Sequence, residues 1–184
     1  MRKNYKSYIY AAAVGAMLSA GPALAADPVK IGVLQPLSGN SANAGKSALD
    51  AINLAAELVN TVHPEFSALP SVGKGGLSNL GGAKIEIISA DHQGNPAEGQ
   101  AQTLRLITQE HVAAVLGSYH SNVTFTASAV AERQGVPFVV GDSVAANITS
   151  RGYKWLFRVT PIASDFAANY MEFLSDMKKA GHKV

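Results

Sequence analysis

Short runs of apolar residues recur along the chain and are separated by longer segments with helical periodicity. The run Val29 to Gln35 is apolar and rich in β-branched residues, which is typical of a buried strand in a parallel sheet. Lys84 to Ala90 alternates between apolar and polar residues, as a half-buried strand does. Further strands are predicted at Val112 to Gly117, Val136 to Gly141 and Trp155 to Val159.

Four other segments carry apolar residues at helical spacing. Pro96 suits the first turn of the second of these segments, where its missing N–H leaves no hydrogen bond unmade. Gly135 suits the end of the third segment, because glycine readily adopts the left-handed conformation that terminates a helix. The predicted helices are Ala44 to Val62, Asn95 to Glu110, Ser121 to Gln134 and Ser164 to Ala180.

The alternation of strands and helices predicts an α/β fold, with a mostly parallel sheet and helices on both of its faces. His63 to Gly82 interrupts the alternation with several glycines and two prolines, so we predict a long surface loop there and interpret it as an insertion. After the helix stop at Gly181, His182 to Val184 resembles the start of another strand. We therefore expect the sequence to be a fragment of a longer protein.

The first 25 residues have the composition of a secretory signal peptide. Three basic residues precede an uncharged apolar run over residues 11–24, and small residues precede a predicted cleavage after Ala25. A membrane anchor is the alternative, but a run of 14 residues is short for a bilayer and is followed by the cleavage site. We therefore expect residues 1–25 to be removed and residues 26–184 to act in the periplasm.

The charge and the cysteine content of the mature chain exclude several function classes. Without the leader, 12 basic and 13 acidic residues remain, and no basic run indicates a nucleic acid or an anionic membrane as a partner. The chain contains no cysteine, so neither a disulfide bond nor a lipid-modified cysteine is expected. We expect a soluble, untethered monomer.

Three loops at the predicted carboxyl edge of the sheet are candidates for binding a ligand. In a parallel sheet, ligands bind beyond the carboxyl ends of the strands, near the point where the strand order reverses. Small and hydroxyl-bearing residues fill the loops over residues 36–45, 117–122 and 141–144. In any one loop, serine and asparagine are more often ordinary helix caps. Together, exposed N–H groups and serine hydroxyls at one edge favour a small polar ligand with a carboxylate.

Several segments resemble a known family in their order and spacing. Lys30 to Gly39, followed by Gly45, looks like the opening of the leucine and branched-chain amino acid binding proteins that feed ABC importers, a group of type I periplasmic binding proteins. The other segments that resemble this family are Asp91 to Pro96, Val115 to Ser121, and Ile148 to Tyr153 together with Phe157 and Arg158.

The resemblance implies a two-lobed binding protein with a Rossmann-like lobe, no catalysis and no cofactor. Its ligand, an amino acid or a similar small polar molecule, lies between lobes that close by hinge bending. Its partner is the membrane permease of an ABC importer. Residues 26–184 would form the N-terminal lobe, with the second lobe absent from this sequence. A ligand-sensing receptor lobe of the same fold is the alternative that remains open.

The resemblance also implies which residues contact the ligand. Ser121 matches by position the family serine that binds the α-carboxylate of the ligand. Tyr119 and His120 precede it in the same matching segment and belong to the candidate set. Ala44 stands where leucine-binding members have an aromatic residue against the ligand side chain, which implies a different or larger ligand.

The segment Asp142, Ser143 and Val144 matches the family stretch whose backbone and hydroxyl groups hold the amino-acid head group. Asp142 stands where a small residue is common in the family. Its carboxylate could meet an ammonium group of the ligand, or it could be a solvated carboxylate in a turn. Both interpretations remain open at the level of sequence.

Two enzyme classes match single motifs but fail on spacing. Gly45-Lys46-Ser47 after the first strand is similar to a phosphate-binding loop, but Asn40 occupies the position where that motif requires its first glycine. Ser121 beside His120 suggests a secreted hydrolase, yet neighbours in sequence rarely form a catalytic pair and no G-x-S-x-G motif is present. The five histidines show no metal-binding spacing.

Overall fold

A parallel sheet organises the part of the chain that the computed structural model describes, which comprises residues 26–66, 68–70 and 72–184. The predicted leader over residues 1–25 lies outside the described residues. The strand order is β2-β1-β3-β4-β5, and every neighbouring pair is parallel. The strands are β1 (Val29–Gln35), β2 (Ile85–Asp91), β3 (Ala114–Gly117), β4 (Phe138–Val140) and β5 (Leu156–Arg158).

Helices follow four of the five strands, as the sequence predicts. They are α1 (Ala42–Asn60), α2 (Pro96–Thr108), α3 (Ser121–Gln134) and α4 (Ala163–Lys179). Right-handed crossovers place α1 on one face of the sheet and α2 and α3 on the other, because the chain moves outward from β1 to β2 and then crosses back to β3. In agreement with this, α2 and α3 pack against each other. The predicted parallel α/β architecture is therefore confirmed.

The main hydrophobic core lies between the sheet and the face covered by α2 and α3. Alternate residues of a strand point to opposite faces, so Leu34 of β1 joins this core while its neighbours Val33 and Gln35 point toward α1. Phe138, fully buried in β4, is the largest core side chain. The other buried core members are Ala90, Leu106, Val112, Val115, Val123, Ala127, Ala131, Val140 and Ile148.

The predicted helix ends are confirmed at two positions. The side-chain Oδ1 of Asn95 accepts hydrogen bonds from the N–H groups of Ala97 and Glu98, at 2.8 and 3.4 Å, so Asn95 caps α2 directly before Pro96. Gly135 ends α3 in the left-handed conformation, with a φ of 68°. Local sequence chemistry thus sets where α2 begins and where α3 ends.

The segment between α1 and β2 has more structure than the predicted loop. It contains two short 3-10 helices, Pro64–Phe66 and Ser78–Leu80, and an antiparallel bridge between Val62 and Lys74. The side chain of Asn60 joins its two ends, because its amide donates to the carbonyl of Ile85 at 2.8 Å and accepts from the N–H of the same residue at 2.7 Å.

The second half of the chain departs from the predicted boundaries. β4 and β5 have only three residues each, because just those residues pair with a neighbouring strand. His182 to Val184 forms no strand, since no described strand pairs with it. No residue of α4 is buried, although Phe166 and Tyr170 are large and apolar. No helix in the described ranges is long and apolar enough to cross a membrane.

A close approach between α1 and the loop after β1 explains one glycine of the opening motif. A Cβ atom at Gly45 would lie 2.1 Å from the carbonyl oxygen of Pro36, far inside van der Waals contact. The helix can therefore begin against this loop only with glycine at that position. Gly141 differs, because a Cβ atom there would meet nothing within 4 Å.

We predict that Gly45→Ala destabilises the protein by about 1–3 kcal/mol, the usual range for overpacking a well-packed site. The clash outweighs the gain of up to about 1 kcal/mol that alanine brings to a helix interior. Urea unfolding followed by circular dichroism measures the difference, with Gly141→Ala as the matched control. Equal midpoints for Gly45→Ala and the wild type would contradict this account.

Candidate functional site

The strand order reverses between β1 and β3, so the loops that leave these two strands form the crevice where parallel sheets usually bind ligands. The two strands approach closely at this point. A Cβ atom at Gly117, the last residue of β3, would lie 2.3 Å from the carbonyl oxygen of Leu34, and its φ is 149°. Because glycine has no Cβ atom, the backbones of β1 and β3 can lie this close together at the point where their exit loops begin and separate.

A cluster of buried hydroxyl groups joins the exit of β3, the first turn of α3 and the exit of β4. The Oγ1 of Thr124 lies 3.0 Å from the Oγ of Ser118 and 2.6 Å from the Oγ of Ser143. The Ser143 hydroxyl also donates to the carbonyl of Ser118. All three side chains are at most 1% exposed. The hydroxyl of Ser143, one of the predicted ligand contacts, therefore bonds within the protein.

Arg158, at the end of β5, holds the loop after β4. Its Nη2 donates to the carbonyl of Ala145 at 2.8 Å, and its Nη1 donates to the carbonyl of Ser143. The carbonyl of Val144 accepts a hydrogen bond from the N–H of Ala163 at 2.8 Å, which ties the same loop to the start of α4. The backbone of the predicted head-group segment is thus fixed by a guanidinium and by a helix start.

Ser121 is the first residue of α3, and its hydroxyl does not cap that helix. His120 is the N-cap residue and makes no side-chain capping hydrogen bond, while the Oδ1 of Asn122 accepts from the N–H of Val123 at 2.9 Å. The Oγ of Ser121 lies 3.4 Å from the N–H of Ala145, which is a long hydrogen bond to the neighbouring loop. The simple capping interpretation of this serine is therefore not what the structure shows.

Asp142 is exposed at the exit of β4, and its carboxylate has one hydrogen-bond partner among the residues that the structure describes. The Nε2 of Gln35, at the end of β1, donates to its Oδ2 at 2.9 Å. Gln35 itself is only 2% exposed. The two side chains come from strands on either side of β3, so their contact bridges the reversal point of the sheet.

Ala44 lies in the first turn of α1, one turn before Ala48. Ala48 and Ala51 line a cavity of about 290 Å³, whose lining also includes Gln35 and Asp142. The small residues on this side of α1 leave that volume open. Ala44 is not among the residues that line this cavity, and its contact with a ligand stays a prediction.

The other two predicted residues form an aromatic stack. The rings of Tyr119 and His120 are edge-to-face at 5.1 Å, and Tyr119 is exposed. The Nε2 of His120 lies 3.2 Å from the Oγ of Ser41 in the loop after β1. The opposite side of His120 meets the ring of His92, edge-to-face at 5.3 Å. The loops after β1, β2 and β3 thus meet at His120.

Asp91, the last residue of β2, ties its own exit loop to that of β1. Its Oδ1 accepts from the N–H groups of Leu37 at 2.9 Å and Gln93 at 2.8 Å. Burial raises the pKa of this carboxyl group, but hydrogen bonds from Ser38, Gln93 and Leu37 outweigh it and leave the pKa below its ordinary value. Asp91 is therefore an ionised anchor for both loops.

The enzyme motifs do not assemble into catalytic sites. Gly45-Lys46-Ser47 lies inside α1 and not in a loop, so its N–H groups cannot wrap a phosphate. The Nε2 of His120 bonds Ser41 and not Ser121, so the suspected hydrolase pair does not form. Within residues 26–66, 68–70 and 72–184, no group of three or more His, Asp or Glu side chains could hold a metal ion.

The sequence did not single out Gln35, Thr124 or His92 as parts of this edge. Gln35 gave a usable signal, because it is a polar residue that ends an otherwise apolar buried strand. Thr124 gave none, because a buried threonine has no distinctive spacing, and His92 stands in the segment Asp91 to Pro96, which was noted only for its family resemblance. Arg158 was noted only as part of the family resemblance, and its role in holding the loop is visible only in three dimensions.

The fold is a doubly wound parallel α/β lobe. Its loops converge at the point where the strand order reverses. Residues 28–184 match the family model described as periplasmic binding protein, and the chain belongs to this family. Members of the family are substrate-binding proteins and not enzymes. The family assignment made from the sequence is confirmed.

Named relatives support this assignment. Leu/Ile/Val-binding protein homolog 7 of Brucella abortus is 36% identical over 170 residues, which are 92% of this chain and 38% of the relative. Among solved structures, the branched-chain amino acid transporter substrate binding protein LivJ of Streptococcus pneumoniae, in complex with isoleucine, has a TM-score of 0.61 and 29% identity, over 74% of this chain and 34% of that one. The leucine binding protein LivK of Thermotoga maritima has a TM-score of 0.64 and 25% identity, over 83% and 38%.

We predict that acid destabilises the fold through His92. Burial and the neighbouring His120 lower the pKa of His92 from its ordinary 6.5 to about 4, although Asp91 opposes this. Between these values the unfolded chain binds a proton that the folded chain does not. Stability is therefore unaffected above pH 6.5 and falls as the pH decreases toward 4, by up to about 1.4 kcal/mol per pH unit.

Urea unfolding between pH 7.5 and pH 4 measures this dependence. His92→Asn keeps an acceptor near the position of Nδ1, which accepts from the N–H of Gly94 at 3.0 Å, and removes the titrating ring. The variant should show a shallower loss of stability than the wild type below pH 6.5. His111→Asn is the control, because His111 is exposed and its φ of 57° suits asparagine. The same slope in wild type and His92→Asn would refute the prediction.

Proposed function

We propose that the chain forms the N-terminal lobe of the substrate-binding component of an ABC importer. The ligand is an amino acid or a similar small polar solute, and the lobe binds it without catalysis and without a cofactor. The protein acts as a monomer in the periplasm after removal of residues 1–25, and it delivers the solute to a membrane permease. Membership of the periplasmic binding protein family and the similarity to LivJ and LivK support this proposal.

The observation that carries the proposal is the arrangement of Ser121 and Asp142 on the exits of the neighbouring strands β3 and β4. The hydroxyl of Ser121 stands at the N-terminus of α3, whose N-cap residue His120 makes no side-chain cap, and N–H groups and the helix dipole there favour a carboxylate. The carboxylate of Asp142 is exposed at the exit of the neighbouring strand β4 and suits an ammonium group. An amino-acid head group carries both charges.

The lobe presents this edge to solvent, which is consistent with a site completed by a second lobe. The chain spans 38% of the length of the Brucella relative. A ligand held between two lobes loses its water on both sides, and each lobe contributes contacts. The proposed site is therefore shared, with the carboxylate-binding serine on this lobe.

We predict that Ser121→Ala lowers the affinity of the full-length protein for leucine, isoleucine or valine by about ten- to a hundredfold. The change removes a hydrogen bond to a charged carboxylate, which contributes roughly 1.5–3 kcal/mol. Isothermal titration calorimetry measures the affinity, and thermal unfolding measures the stability. Ser150→Ala, in an exposed turn, is the matched control. A lower melting temperature with unchanged affinity would overturn the role of Ser121.

A second prediction concerns the shared site. We expect the 184-residue chain to bind leucine at least about tenfold more weakly than the product of the complete reading frame, a difference of about 1.4 kcal/mol or more. Calorimetry with both proteins under the same conditions provides the comparison. Equal affinities would show that this lobe alone holds the ligand, and a reading frame that ends at Val184 would remove the basis for a second lobe.

A further inference from the structure

A second cavity at the carboxyl edge lies apart from the one beside Gln35 and Asp142. It has a volume of about 180 Å³, lies between the loops that leave β1, β2 and β3, and shares no lining residue with the cavity of about 290 Å³. Every residue of its lining except one glycine has a hydrogen-bonding side chain. The lining residues are Ser38, Asn40, Ser41, Gln93, Gly94 and His120. The cavity is therefore polar, and the proposed function leaves it without a role.

The chemistry of this lining suits an uncharged group. Serine hydroxyls, the amides of asparagine and glutamine, and a neutral imidazole can each both donate and accept hydrogen bonds. None of the described lining residues is a Lys, Arg, Asp or Glu, so the lining offers no opposite charge to a carboxylate or an ammonium group. The ionised Asp91, which holds the loops after β1 and β2, further disfavours an anion. A carboxamide or a hydroxyl group, which donates and accepts at once, complements these walls.

The imidazole of His120 is held in one position at the wall of this cavity. Its ring meets the rings of Tyr119 and His92 edge-to-face, with centroid distances of 5.1 and 5.3 Å. Its Nε2 lies 3.2 Å from the Oγ of Ser41. A Cβ atom at Gly94 would lie 3.6 Å from the Cε1 and 3.7 Å from the Nε2 of this ring. A larger side chain at Gly94 would cover that edge of the ring, so the glycine leaves it open to the cavity.

The backbone at Gln93 has a conformation that glutamine rarely adopts. Its φ is 54° and the φ of Gly94 is 73°, so two successive residues are left-handed. This conformation is unfavourable for a residue with a Cβ atom, and asparagine and aspartate tolerate it better than glutamine does. The N–H of Gln93 donates to the Oδ1 of Asp91 at 2.8 Å, which holds the turn in place. Because glycine would fit this position with less strain, the glutamine indicates a role for its side chain, and Gln93 lines the cavity.

We infer that this cavity is a subsite for an uncharged polar group, a carboxamide or a hydroxyl, at the far end of the bound solute. The inference rests on the proposed function, in which Ser121 holds the carboxylate of the same solute, and it adds the chemistry of the other end. Ser121 directly follows His120 in the chain, so the cavity borders the start of α3. Its walls are positioned before the solute arrives, so binding orders few further groups. The cavity therefore selects a neutral polar end over an aliphatic or a charged one.

Three amino acids of the same shape test this selection. L-Glutamine ends in a carboxamide, L-glutamate ends in a carboxylate, and L-homoleucine carries two methyl groups at the same positions. Calorimetry on the full-length protein gives the dissociation constant of each. We expect glutamine to bind at least about tenfold more tightly than either of the others, because an end that cannot both donate and accept leaves polar groups of the cavity without partners. Homoleucine or glutamate that binds as tightly as glutamine would overturn the inference.

Two substitutions each remove one polar group from the cavity. Gln93→Gly removes the amide and suits the left-handed backbone, and Ser41→Ala removes a hydroxyl that makes no capping hydrogen bond to α1. Each should lower the ratio of the homoleucine to the glutamine dissociation constant by about two- to tenfold, the range for a neutral hydrogen bond. His111→Gly is the matched control, because His111 is exposed, has a φ of 57° and lies outside the cavity. If Gln93 served only the turn, neither glycine variant would change this ratio, and the role of the cavity would be refuted.

Ser121→Ala separates this inference from the proposed function. If Ser121→Ala weakens leucine binding and the wild type shows no preference for glutamine, the binding edge stands and the polar subsite is wrong. If Ser121→Ala affects no probe while Gln93→Gly lowers the preference for glutamine, the subsite stands and the proposed role of Ser121 fails. A wild type that binds leucine but none of the three probes refutes the subsite alone. A wild type that binds no amino acid refutes both proposals.

Discussion

The geometry of the carboxyl edge depends on the need to pair three buried hydroxyl groups. Ser118, Thr124 and Ser143 come from three different segments, and none of them reaches water. A buried hydroxyl without a partner costs on the order of 1–3 kcal/mol, so these segments are stable together and unstable apart. Their shared hydrogen bonds position the start of α3 against the loop after β4. Ser121 and Asp142, which take no part in that cluster, are held in place by it.

Much of the fold follows from the sequence because its strongest signals are local. β1 and α3 occupy the predicted residues, since a continuous apolar run and a helix with a glycine stop define their own ends. The short β5 was predicted as five residues, because the number of paired residues is set by the neighbouring strand and not by the apolar run itself. The regular structure in the segment between α1 and β2 was also not predicted, because its side-chain contacts link residues 25 positions apart.

The residues of the candidate site differ in the same way: some could be predicted from the sequence and others only from the structure. Ser121 and Asp142 could be named because they stand in loops after predicted strands, in segments that resemble the leucine-binding family. Gln35 and Thr124 could not, because their importance lies in contacts with residues brought together by the order of the strands. The likeness to leucine-binding proteins is the basis for the proposed ligand site, while the contact between Gln35 and Asp142 is visible only in the structure.

The number of paired residues differs between the two sides of the sheet, so β1 and β2 are held by more backbone hydrogen bonds than β4 and β5. β1 pairs along all seven residues with β2, whereas β4 and β5 are joined by three residue pairs and Phe157 of β5 is about half exposed. Backbone amides near β5 should therefore exchange with deuterium through small local openings, well before those of β1. A solute that bound to the loops after β3 and β4 would stabilise the folded state and slow that exchange. Deuterium exchange of the amides near β5 would then report solute binding at a distance from the bound solute.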